Sequence, residues 1–446
     1  MKGVVIAGTG SGVGKTSITT GLIARLSKKY KVQAFKAGPD FIDPMYHSAA
    51  SGRRAGNLDS FMMSDEAIRK SVGYAASDAD ICIVEGVRGL YESSSPYSDE
   101  GSTARLAKIL GFPVILTVDV RSLNNSAAAI VNGFQAFDPD VRIEGLILNR
   151  ISGKQHEDKI DGAMKRYCKP EVIGKVKKLP EKPTKERYLG LVTPSPGRNP
   201  DFEPLEEMVS DVDIDRLMAI AADAELPDCP EGPYVKRKTG LKAAVPLDDS
   251  FCFYYRENID CLEASGINIE HFSPTEGDML PDADMYLLGG GYPELHAEKI
   301  SENKDLLQGL KNVSEEGKPV LGECGGMTAM CRSLKNISGE VFGMAGIFGA
   351  EAVMDGIRHG PTYVSAIPAE SNPLFDSPVR AHEYHYSKLI TAEKNFGYRL
   401  ERGNGILPGY DGLVYKRSLG TYMHQNALSS ADWAGGFVRA CELVRQ

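Results

Sequence analysis

A glycine-rich segment near the start of the chain has the composition of a phosphate-binding loop. The segment GTGSGVGKT, residues 8–16, lies between an apolar β-branched run and a helix-compatible run. Glycines let successive backbone N–H groups turn toward phosphates, and a helix N-terminus adds its positive dipole end. A lysine can reach the β- and γ-phosphate oxygens, and a threonine hydroxyl can ligate Mg²⁺. The predicted nucleotide-binding residues are Gly10, Gly12, Gly14, Lys15 and Thr16. The alternative is a turn with a structural duty only, because Thr9 replaces the first glycine of the strict pattern.

Two acidic residues are candidates for holding the Mg²⁺ of the nucleotide. Asp40 lies in KAGPDFIDP, directly after the second predicted strand, and Glu85 lies in VEGVRGLYE, directly after the third. In doubly wound sheets ligands bind at the carboxyl ends of the strands, and carboxylate oxygens suit Mg²⁺. We therefore predict a metal site at Thr16, Asp40 and Glu85. The alternative is that each acid caps a helix or closes a turn.

A second glycine-rich turn, in the C-terminal half, carries a cysteine. The segment PVLGECGG places Cys324 between a strand and a helical run, as the cysteine counterpart of a nucleophile elbow. Flanking glycines permit the strained turn, the N–H of Gly325 can face an oxyanion, and a helix N-terminus lowers a thiol pKa. The glycine cluster of LLGGGYPE is predicted to complete the oxyanion hole through Gly290 and Gly291. The alternative is a buried, inert cysteine.

A thiol nucleophile needs a base, and His424 is the candidate among the eight histidines. It ends a strand-like run, GTYMH, at a distance from the elbow that is usual for a spatial partner. Taken alone, a histidine after a strand is more often structural.

Alternating strands and helices must position these residues. Short β-branched runs alternate with helical patterns in both halves, which predicts parallel sheets covered by helices. A segment dense in proline and charge, 182–242, separates the two series, so we predict domains over 1–240 and 241–446. The predicted strands are 4–7, 32–35, 81–84, 114–118 and 146–148 in the first half, and 241–245, 267–272, 285–288, 320–321 and 413–415 in the second.

Composition narrows the class of protein. The 446 residues are 42% apolar and 25% charged, the balance of a globular protein, and the net charge of −9 argues against a nucleic-acid partner. No stretch approaches the roughly 20 apolar residues of a membrane span. Eight scattered cysteines form neither a disulfide framework nor a zinc ribbon pattern. We expect a cytoplasmic protein with reduced thiols, and the sequence is compatible with a homodimer.

Together, the motifs resemble those of the cobyrinate a,c-diamide synthase family, glutamine amidotransferases of corrinoid biosynthesis, essentially from end to end. The segments that carry the resemblance are GTGSGVGKT, KAGPDFIDP, VEGVRGLYE, GGGYPELHA, GECGG and HEYHYS. The resemblance implies an α/β fold in two parts. The first is a P-loop parallel-sheet domain similar to dethiobiotin synthetase, and the second is a class I glutamine amidotransferase-like domain.

The resemblance also implies a reaction that uses glutamine and ATP. Cys324 would attack glutamine, with its nucleophilicity raised by His424, and the ammonia would travel internally to the first domain. The residues implied to bind MgATP there are Lys15, Thr16, Asp40 and Glu85. ATP would phosphorylate a substrate carboxylate, and ammonia would displace the phosphate. Many glutaminase domains of this class have a carboxylate two positions after the base, where this chain has Asn426, so another group must orient His424.

The implied substrate is a polycarboxylate tetrapyrrole, amidated on its a and c acetates. Two rings remain alternatives as the substrate: cobyrinate, and nickel sirohydrochlorin, which lies on the route to coenzyme F430. Arg88 stands where bacterial corrinoid members usually carry methionine, and its guanidinium matches a carboxylate; a solvent-facing arginine is the alternative. One rival function is a P-loop partitioning or regulatory ATPase with a degenerate amidotransferase-like module. A dethiobiotin-synthetase-like carboxylase is another, but it leaves the C-terminal half without a role.

Overall fold

The computed structural model describes residues 1–178, 186–187, 190–191, 200–224, 229 and 231–445. These residues form two compact units, an N-terminal unit up to Pro233 and a C-terminal unit from Tyr234 onward. The division lies close to the expected boundary between residues 240 and 241. Much of the proline- and charge-rich junction, including 192–199 and 225–228, falls outside the described residues.

The N-terminal unit is built on a seven-stranded sheet in which all neighbouring strands are parallel. Its strands are β1 (Gly3–Gly8), β2 (Val32–Ala37), β3 (Gly56–Leu58), β4 (Ile81–Glu85), β5 (Val114–Asp119), β6 (Ile143–Ile151) and β7 (Glu171–Lys177), followed by a separate hairpin of β8 (Glu186–Arg187) and β9 (Gly190–Leu191). Its helices are α1 (Lys15–Ser27), α2 (Ile42–Ser51), α3 (Asp65–Ala75), α4 (Thr103–Leu110), α5 (Asn125–Phe137), α6 (Lys154–Tyr167), α7 (Glu203–Met208) and α8 (Ile214–Ala221).

The order of this sheet, β3-β2-β4-β1-β5-β6-β7, explains how distant motifs meet. Strand β1 lies at the centre, and β2, β4 and β1 are side by side, so their carboxyl ends share one edge of the sheet. Every residue of these three strands is buried, which explains why they are mainly apolar; the charged exceptions, Lys36 and Glu85, lie near the carboxyl ends of β2 and β4. The five predicted strands are confirmed. The two strands of this sheet that were not predicted, β3 and β7, lie at its edges; β3 has three residues, and β7 carries exposed charges. The short hairpin of β8 and β9 was not predicted either.

The C-terminal unit contains a larger, mixed sheet. The strands of this unit are β10 (Lys242–Pro246), β11 (Phe251–Phe253), β12 (Asn268–Phe272), β13 (Met285–Leu288), β14 (Gly290–Gly291), β15 (Val320–Glu323), β16 (Ser333–Lys335), β17 (Val341–Gly343), β18 (Glu351–Pro368), β19 (Val379–Ile390), β20 (Phe396–Arg402), β21 (Tyr410–Tyr415) and β22 (Ser418–Thr421). All belong to the larger sheet except β11 and β14, which pair only with each other. Its helices are α9 (Arg256–Ala264), α10 (Ala297–Glu302), α11 (Lys304–Glu315), α12 (Gly325–Met330) and α13 (Trp433–Val444).

Half of this sheet is parallel and half is largely antiparallel. The parallel half runs β12-β10-β13-β15-β22, and β21, β20 and β18 continue it with antiparallel pairing. The five predicted strands are present, and the α/β fold class is confirmed. The strands between residues 333 and 402 were not predicted. Exposed and charged residues interrupt the alternation of the long strand β18, whose pairing with β19 also shifts register.

Each unit has its own apolar core. In the N-terminal unit Ile6 and Ile83 pack with Ile18 and Leu22 of α1, so the core fixes the helix that follows the phosphate loop. In the C-terminal unit one cluster surrounds Trp433 and another contains Met327 of α12. All eight cysteines are free thiols. No helix among the described residues is both long enough and apolar enough to cross a membrane.

Candidate active sites

The phosphate loop joins β1 to α1 through two left-handed glycines. Gly12 and Gly14 have φ of 74° and 95°, a region that residues with a side chain rarely adopt. A Cβ at Gly14 would lie 2.3 Å from Nδ2 of Asn149, which donates a hydrogen bond to Val13 O at 2.7 Å. The loop is therefore held from β6, and only glycine fits at position 14.

Thr9 accounts for the departure from the strict phosphate-loop pattern. Its N–H donates to Thr117 O at 3.1 Å and continues the pairing of β1 with β5. Thr9 does not have a positive φ, so its backbone does not require glycine. The glycines that the turn does need follow it.

Lys15 begins α1 and is buried. Its Nζ donates to Gly10 O at 2.9 Å, so the side chain folds back over the loop. Burial lowers the pKa of Lys15 to about 8, and the positive charge of Lys36 acts in the same direction. An anion bound in the loop would favour the charged form.

A buried cluster of charged groups lies beside the loop, at the ends of β2 and β4. Thr16 Oγ1 donates to Glu85 Oε1 at 2.7 Å and lies 3.2 Å from Asp43 Oδ2. Lys36 Nζ pairs with both carboxylates, at 2.7 Å from Glu85 and 2.5 Å from Asp43. His47 Nε2 lies 2.7 Å from Glu85 Oε2, and neither side chain is exposed. The cluster joins the three motifs that the sheet brings together.

The charges within this cluster shift one another. Burial opposes the charged form of Lys36, but Asp43 and Glu85 outweigh it and raise the pKa of Lys36. Burial likewise opposes ionisation of Glu85, yet Lys36 and His47 hold its pKa well below the ordinary value. Burial, with the charges of Asp40 and Glu85, raises the pKa of Asp43. Lys36 therefore compensates buried negative charge that would otherwise have less opposite charge beside it.

The sequence predicts Asp40 as a metal ligand, but the aspartate that contacts Thr16 in the structure is Asp43. Asp40 Oδ1 accepts a hydrogen bond from Ile42 N at 2.7 Å, so this carboxylate closes the turn before α2. Asp43 lies in the first turn of α2 and is the acid that lies beside Thr16. Sequence reasoning missed Asp43, although the second aspartate of KAGPDFIDP was its signal.

The oxygen atoms of Thr16, Asp43 and Glu85 form a donor set that suits Mg²⁺. This ion is usually held by one or two carboxylates, with phosphates and water supplying its other ligands. Among the residues that the structure describes, no group of three or more His, Cys, Asp or Glu side chains is arranged to hold a metal. The three oxygens therefore fit a metal that arrives with phosphates better than a permanent ion.

Two arginines with left-handed backbone flank the phosphate loop. Arg150 has φ of 69°; its guanidinium lies 2.5 Å from Asp119 and donates to Gly12 O at 2.8 Å. Arg88 has φ of 47° and an exposed side chain, and a Cβ at the next residue, Gly89, would lie 3.5 Å from Gly10 Cα. Such backbone costs about 1–3 kcal/mol and concentrates at functional sites. Sequence reasoning selected Arg88 but missed Arg150.

In the C-terminal unit, Cys324 sits in a left-handed turn between β15 and α12. Its φ is 49°, and its N–H donates to Thr421 O at 2.7 Å. Small neighbours are required on both sides: a Cβ at Gly322 would lie 2.4 Å from Met330 Sδ, and one at Gly326 would lie 2.0 Å from Leu288 O. This is the strained strand–turn–helix geometry expected of a nucleophile elbow.

The glycine cluster after β13 lies against this elbow. Gly290 and Gly291 form β14 and pair with β11, and Gly291 has φ of 155°. A Cβ at Gly325 would lie 3.2 Å from Gly291 N, and a Cβ at Gly290 would lie 2.6 Å from His424 Cε1. The structure thus brings Cys324, Gly290, Gly291, Gly325 and His424 together. Their catalytic roles stay predictions.

The environment of the thiol differs from the sequence expectation. A helix N-terminus was expected to lower the pKa of Cys324, and the N–H of Gly325 does act in that direction. Burial raises the pKa of Cys324 to about 12, however, and the negative charges of Glu294 and Glu323 raise it as well. The six-residue helix α12 does not offset these effects. At neutral pH the thiol therefore holds its proton until a base removes it.

His424 is held by a second histidine. The backbones of His424 and His382 exchange two hydrogen bonds, of 2.8 and 3.3 Å, and the two rings stack with centroids 5.0 Å apart. Tyr255 OH lies 3.0 Å from His382 Nδ1. Burial lowers the pKa of His382, so this ring is neutral at physiological pH. Sequence reasoning missed His382, although HEYHYS was among the motifs it quoted.

Comparisons with known proteins match both halves of the chain. Residues 4–188 match the family model of the CobQ/CobB/MinD/ParA nucleotide binding domain. Residues 242–432 match that of the CobB/CobQ-like glutamine amidotransferase domain.

Full-length relatives come from methanogens. The cobyrinate a,c-diamide synthase of Methanosphaera stadtmanae is 38% identical over 454 residues, covering 99% of each chain. That of Methanococcus maripaludis strain C5 is 40% identical and covers 97% of this chain and 99% of its own. That of Methanosarcina acetivorans is 36% identical and covers 99% and 96%.

Replacing Glu294 by Gln should speed alkylation of Cys324. Burial raises the pKa of Glu294 to about 7, so its charge, which raises the pKa of the thiol, is present mainly above that pH. A thiol pKa lower by half a unit would increase the thiolate fraction about threefold. Iodoacetamide labelling followed by peptide mass spectrometry should show a difference from the original protein that grows as pH rises past 7.

The matched control for this prediction is Glu298→Gln, an exposed acid in the next helix, α10. Equal labelling rates in Glu294→Gln and Glu298→Gln at pH 9 would show that Glu294 does not influence the thiol.

Proposed function

This chain belongs to the cobyrinate a,c-diamide synthase family of glutamine-dependent amidoligases, and from that premise we propose that it amidates the a and c acetates of a tetrapyrrole through acyl phosphates. One observation carries the proposal: each unit holds the groups for a different half of the reaction. The N-terminal unit has a phosphate loop beside the Thr16–Asp43–Glu85 oxygens. The C-terminal unit has Cys324 in an elbow beside Gly291 and His424.

The C-terminal unit releases ammonia from glutamine. Cys324 Sγ attacks the side-chain amide carbon, and His424 takes the thiol proton and returns it to the departing ammonia. The N–H groups of Gly291 and Gly325 stabilise the oxyanion. Water then hydrolyses the thioester to glutamate. A base is essential in this scheme because burial raises the pKa of the thiol far above neutrality.

The N-terminal unit activates the carboxylate that receives the ammonia. A carboxylate oxygen of the ring attacks the γ-phosphate of ATP and forms an acyl phosphate and ADP. Ammonia from the C-terminal unit attacks the acyl carbon, and phosphate leaves as the amide forms. A carboxylate is a poor electrophile until it is phosphorylated, which is why the reaction needs both units.

Several residues of the N-terminal unit have assigned parts in this proposal. The loop N–H groups and Lys15 bind the β- and γ-phosphates. Thr16, Asp43 and Glu85 would hold Mg²⁺, which when bound would neutralise phosphate charge. Asp40 fixes the turn that carries Asp43.

The proposed ring is a polycarboxylate tetrapyrrole. The relatives from methanogens are named for cobyrinate, which makes cobyrinate the first ring to assay, with nickel sirohydrochlorin second. Arg88 is proposed to bind a ring carboxylate, because its exposed guanidinium and strained backbone lie beside the phosphate loop. A partitioning or regulatory ATPase would leave the strained cysteine elbow without a purpose, so we do not favour it.

Cys324→Ala and Lys15→Ala should separate the two half-reactions. Cys324→Ala removes the nucleophile, so it should abolish amidation with glutamine but keep amidation with ammonium chloride near the original rate. Lys15→Ala removes a phosphate ligand and should abolish both. Mass spectrometry of the ring products with each nitrogen source measures the outcome. Glutamine use by Cys324→Ala, or ammonia use by Lys15→Ala, would contradict the proposal.

Asp43→Asn should change the Mg²⁺ requirement more than Asp40→Asn. Loss of a carboxylate ligand should raise the Mg²⁺ concentration for half-maximal ammonia-dependent activity about tenfold, whereas Asp40 serves the turn. Magnesium titrations at fixed ATP compare the two variants, which make the same chemical change three residues apart. A larger shift in Asp40→Asn than in Asp43→Asn would indicate that Asp40, the residue predicted from the sequence, is the metal ligand.

Arg88→Met should weaken binding of the ring. Loss of a guanidinium–carboxylate pair should raise the KM for the tetrapyrrole about tenfold or change the preference between the two rings, while glutamine hydrolysis stays intact. Steady-state kinetics with both rings measure this, with Arg166→Met, an exposed arginine of α6, as the matched control. If Arg88→Met and Arg166→Met behave alike, Arg88 does not bind the ring.

A further inference from the structure

The amidotransferase centre has no carboxylate at the position that commonly follows the base. Asn426 stands two residues after His424, and its side chain is already engaged. Its Nδ2 donates to Glu257 Oε2 of α9 at 3.2 Å, and its Oδ1 accepts from Leu428 N at 2.9 Å. The nitrogen of this amide therefore contacts α9, and its oxygen contacts the turn that follows Asn426. Neither of these two hydrogen bonds is made to the imidazole of His424.

A different carboxylate lies near His424, and it belongs to a residue that precedes His424 in the sequence. Glu323 is the last residue of β15 and directly precedes the nucleophile. Strand β15 pairs with β22, and Glu323 lies opposite Thr421, three residues before His424. The pairing of these two strands therefore brings the carboxylate to the segment that carries the base.

The two oxygens of Glu323 face this segment at two points. Oε1 accepts a hydrogen bond from the backbone N–H of Gln425 at 3.1 Å, and Oε2 lies 3.8 Å from His424 Nδ1. Both residues are almost fully buried, with 3% of Glu323 and 2% of His424 exposed. Water screens a charge pair poorly in such a place. The hydrogen bond to Gln425 keeps the carboxylate at the imidazole.

We infer that Glu323 is the positioning residue of the glutaminase centre, holding His424 in the orientation and tautomer that leave Nε2 free to act as the base. A carboxylate facing Nδ1 favours the proton on that nitrogen and stabilises the imidazolium that forms when the thiol loses its proton. The stacked ring of His382 fixes the plane of the imidazole. This inference rests on the proposed glutamine hydrolysis and adds to it the group that replaces the absent downstream carboxylate.

The arrangement also links the nucleophile and the base through adjacent residues. Cys324 N–H donates to Thr421 O, while the side chain of the preceding residue, Glu323, reaches Gln425 N and His424 Nδ1. One dipeptide thus supplies the thiol and positions the base that activates it. A small displacement of β15 relative to β22 would misplace both groups together, and misplacement of about 1 Å is enough to cost about a hundredfold in rate.

Other titratable groups around His424 must be considered in a pH experiment. They are Cys324 of the elbow, Glu294, whose charge acts on this thiol, His382 and His385 of β19, Asp411 of β21, and the phenols of Tyr255 and Tyr422. Burial raises the pKa of Glu294 to about 7, so Glu294 changes charge between pH 6 and 10 in the original protein and in every variant alike. Burial lowers the pKa of His382 and of His385, the latter to about 3, so neither histidine changes charge between pH 6 and 10. Asp411 has a pKa that burial raises to about 6, and it affects only the acidic end of that range.

Glu323→Gln tests the inference, since it keeps an acceptor for Gln425 N–H but removes the charge. We expect the kcat for glutamine hydrolysis to fall about 10- to 100-fold with a smaller change in KM, while ammonia-dependent amidation stays at the original rate. Loss of a negative charge lets nearby groups lose their protons at lower pH. The pH profile of kcat/KM for glutamine should therefore move to lower pH.

Two further variants make the result specific. Glu257→Gln makes the same change in another buried carboxylate, the one that contacts Asn426, and should keep the original rate and pH profile. Glu323→Asp keeps the charge on a shorter side chain, so it should lose rate but retain the original pH profile. This variant also carries the test if Glu323→Gln does not fold.

The outcomes separate the inference from the proposed function. If the original protein hydrolyses glutamine and Glu323→Gln has the same rate and pH profile, the inference is overturned and the proposed function stands. A shift of the pH profile in Glu257→Gln equal to that in Glu323→Gln would also overturn it, because the orienting role would then not be specific to Glu323. An original protein that hydrolyses no glutamine would overturn the proposed function, and the inference with it.

Discussion

The close approach of neighbouring atoms to the glycines of the phosphate loop and of the cysteine elbow is the constraint on which both candidate sites depend. A Cβ at Gly14 would lie 2.3 Å from Asn149 Nδ2, and a Cβ at Gly291 would lie 2.2 Å from Ser250 O. A Cβ at Gly326 would lie 2.0 Å from Leu288 O. Because side chains are excluded there, the backbone N–H groups that we propose bind phosphate and oxyanion have no Cβ of their own residue beside them, and the surrounding packing holds this backbone in place.

The two sites use charge in opposite ways. In the N-terminal unit Lys36 lies between Asp43 and Glu85, so a buried cluster that would otherwise carry excess negative charge is compensated. In the C-terminal unit burial, together with the negative charge of Glu294, raises the pKa of the Cys324 thiol to about 12. In the proposed mechanism the first site receives phosphates, and the second depends on a precisely oriented base. On this proposal the surroundings of His424 matter as much as the nucleophile.

Sequence predicted the parts of the sites that lie within one short segment. Lys15, Thr16, Cys324 and the glycines beside them follow directly from local patterns at strand ends, and the buried parallel strands were predicted from their apolar runs. Parts that depend on packing between segments were missed. Asp43 rather than Asp40 lies beside Thr16 because α2 begins at Ile42, and Arg150 reaches the loop from β6. The long strand β18 was missed because it lacks a clear alternation, since many of its residues are only half-buried.

The central claim is that the ring carboxylate is activated as an acyl phosphate, and transfer of oxygen isotope tests it most directly. The ring is prepared with ¹⁸O in its acetate carboxylates and is converted with ATP and glutamine, and the inorganic phosphate is analysed by mass spectrometry. Activation as an acyl phosphate predicts one ¹⁸O in phosphate for each amide formed, because the carboxylate oxygen that attacks phosphorus leaves with it. Unlabelled phosphate accompanying labelled amide, or ¹⁸O in AMP, would contradict this mode of activation.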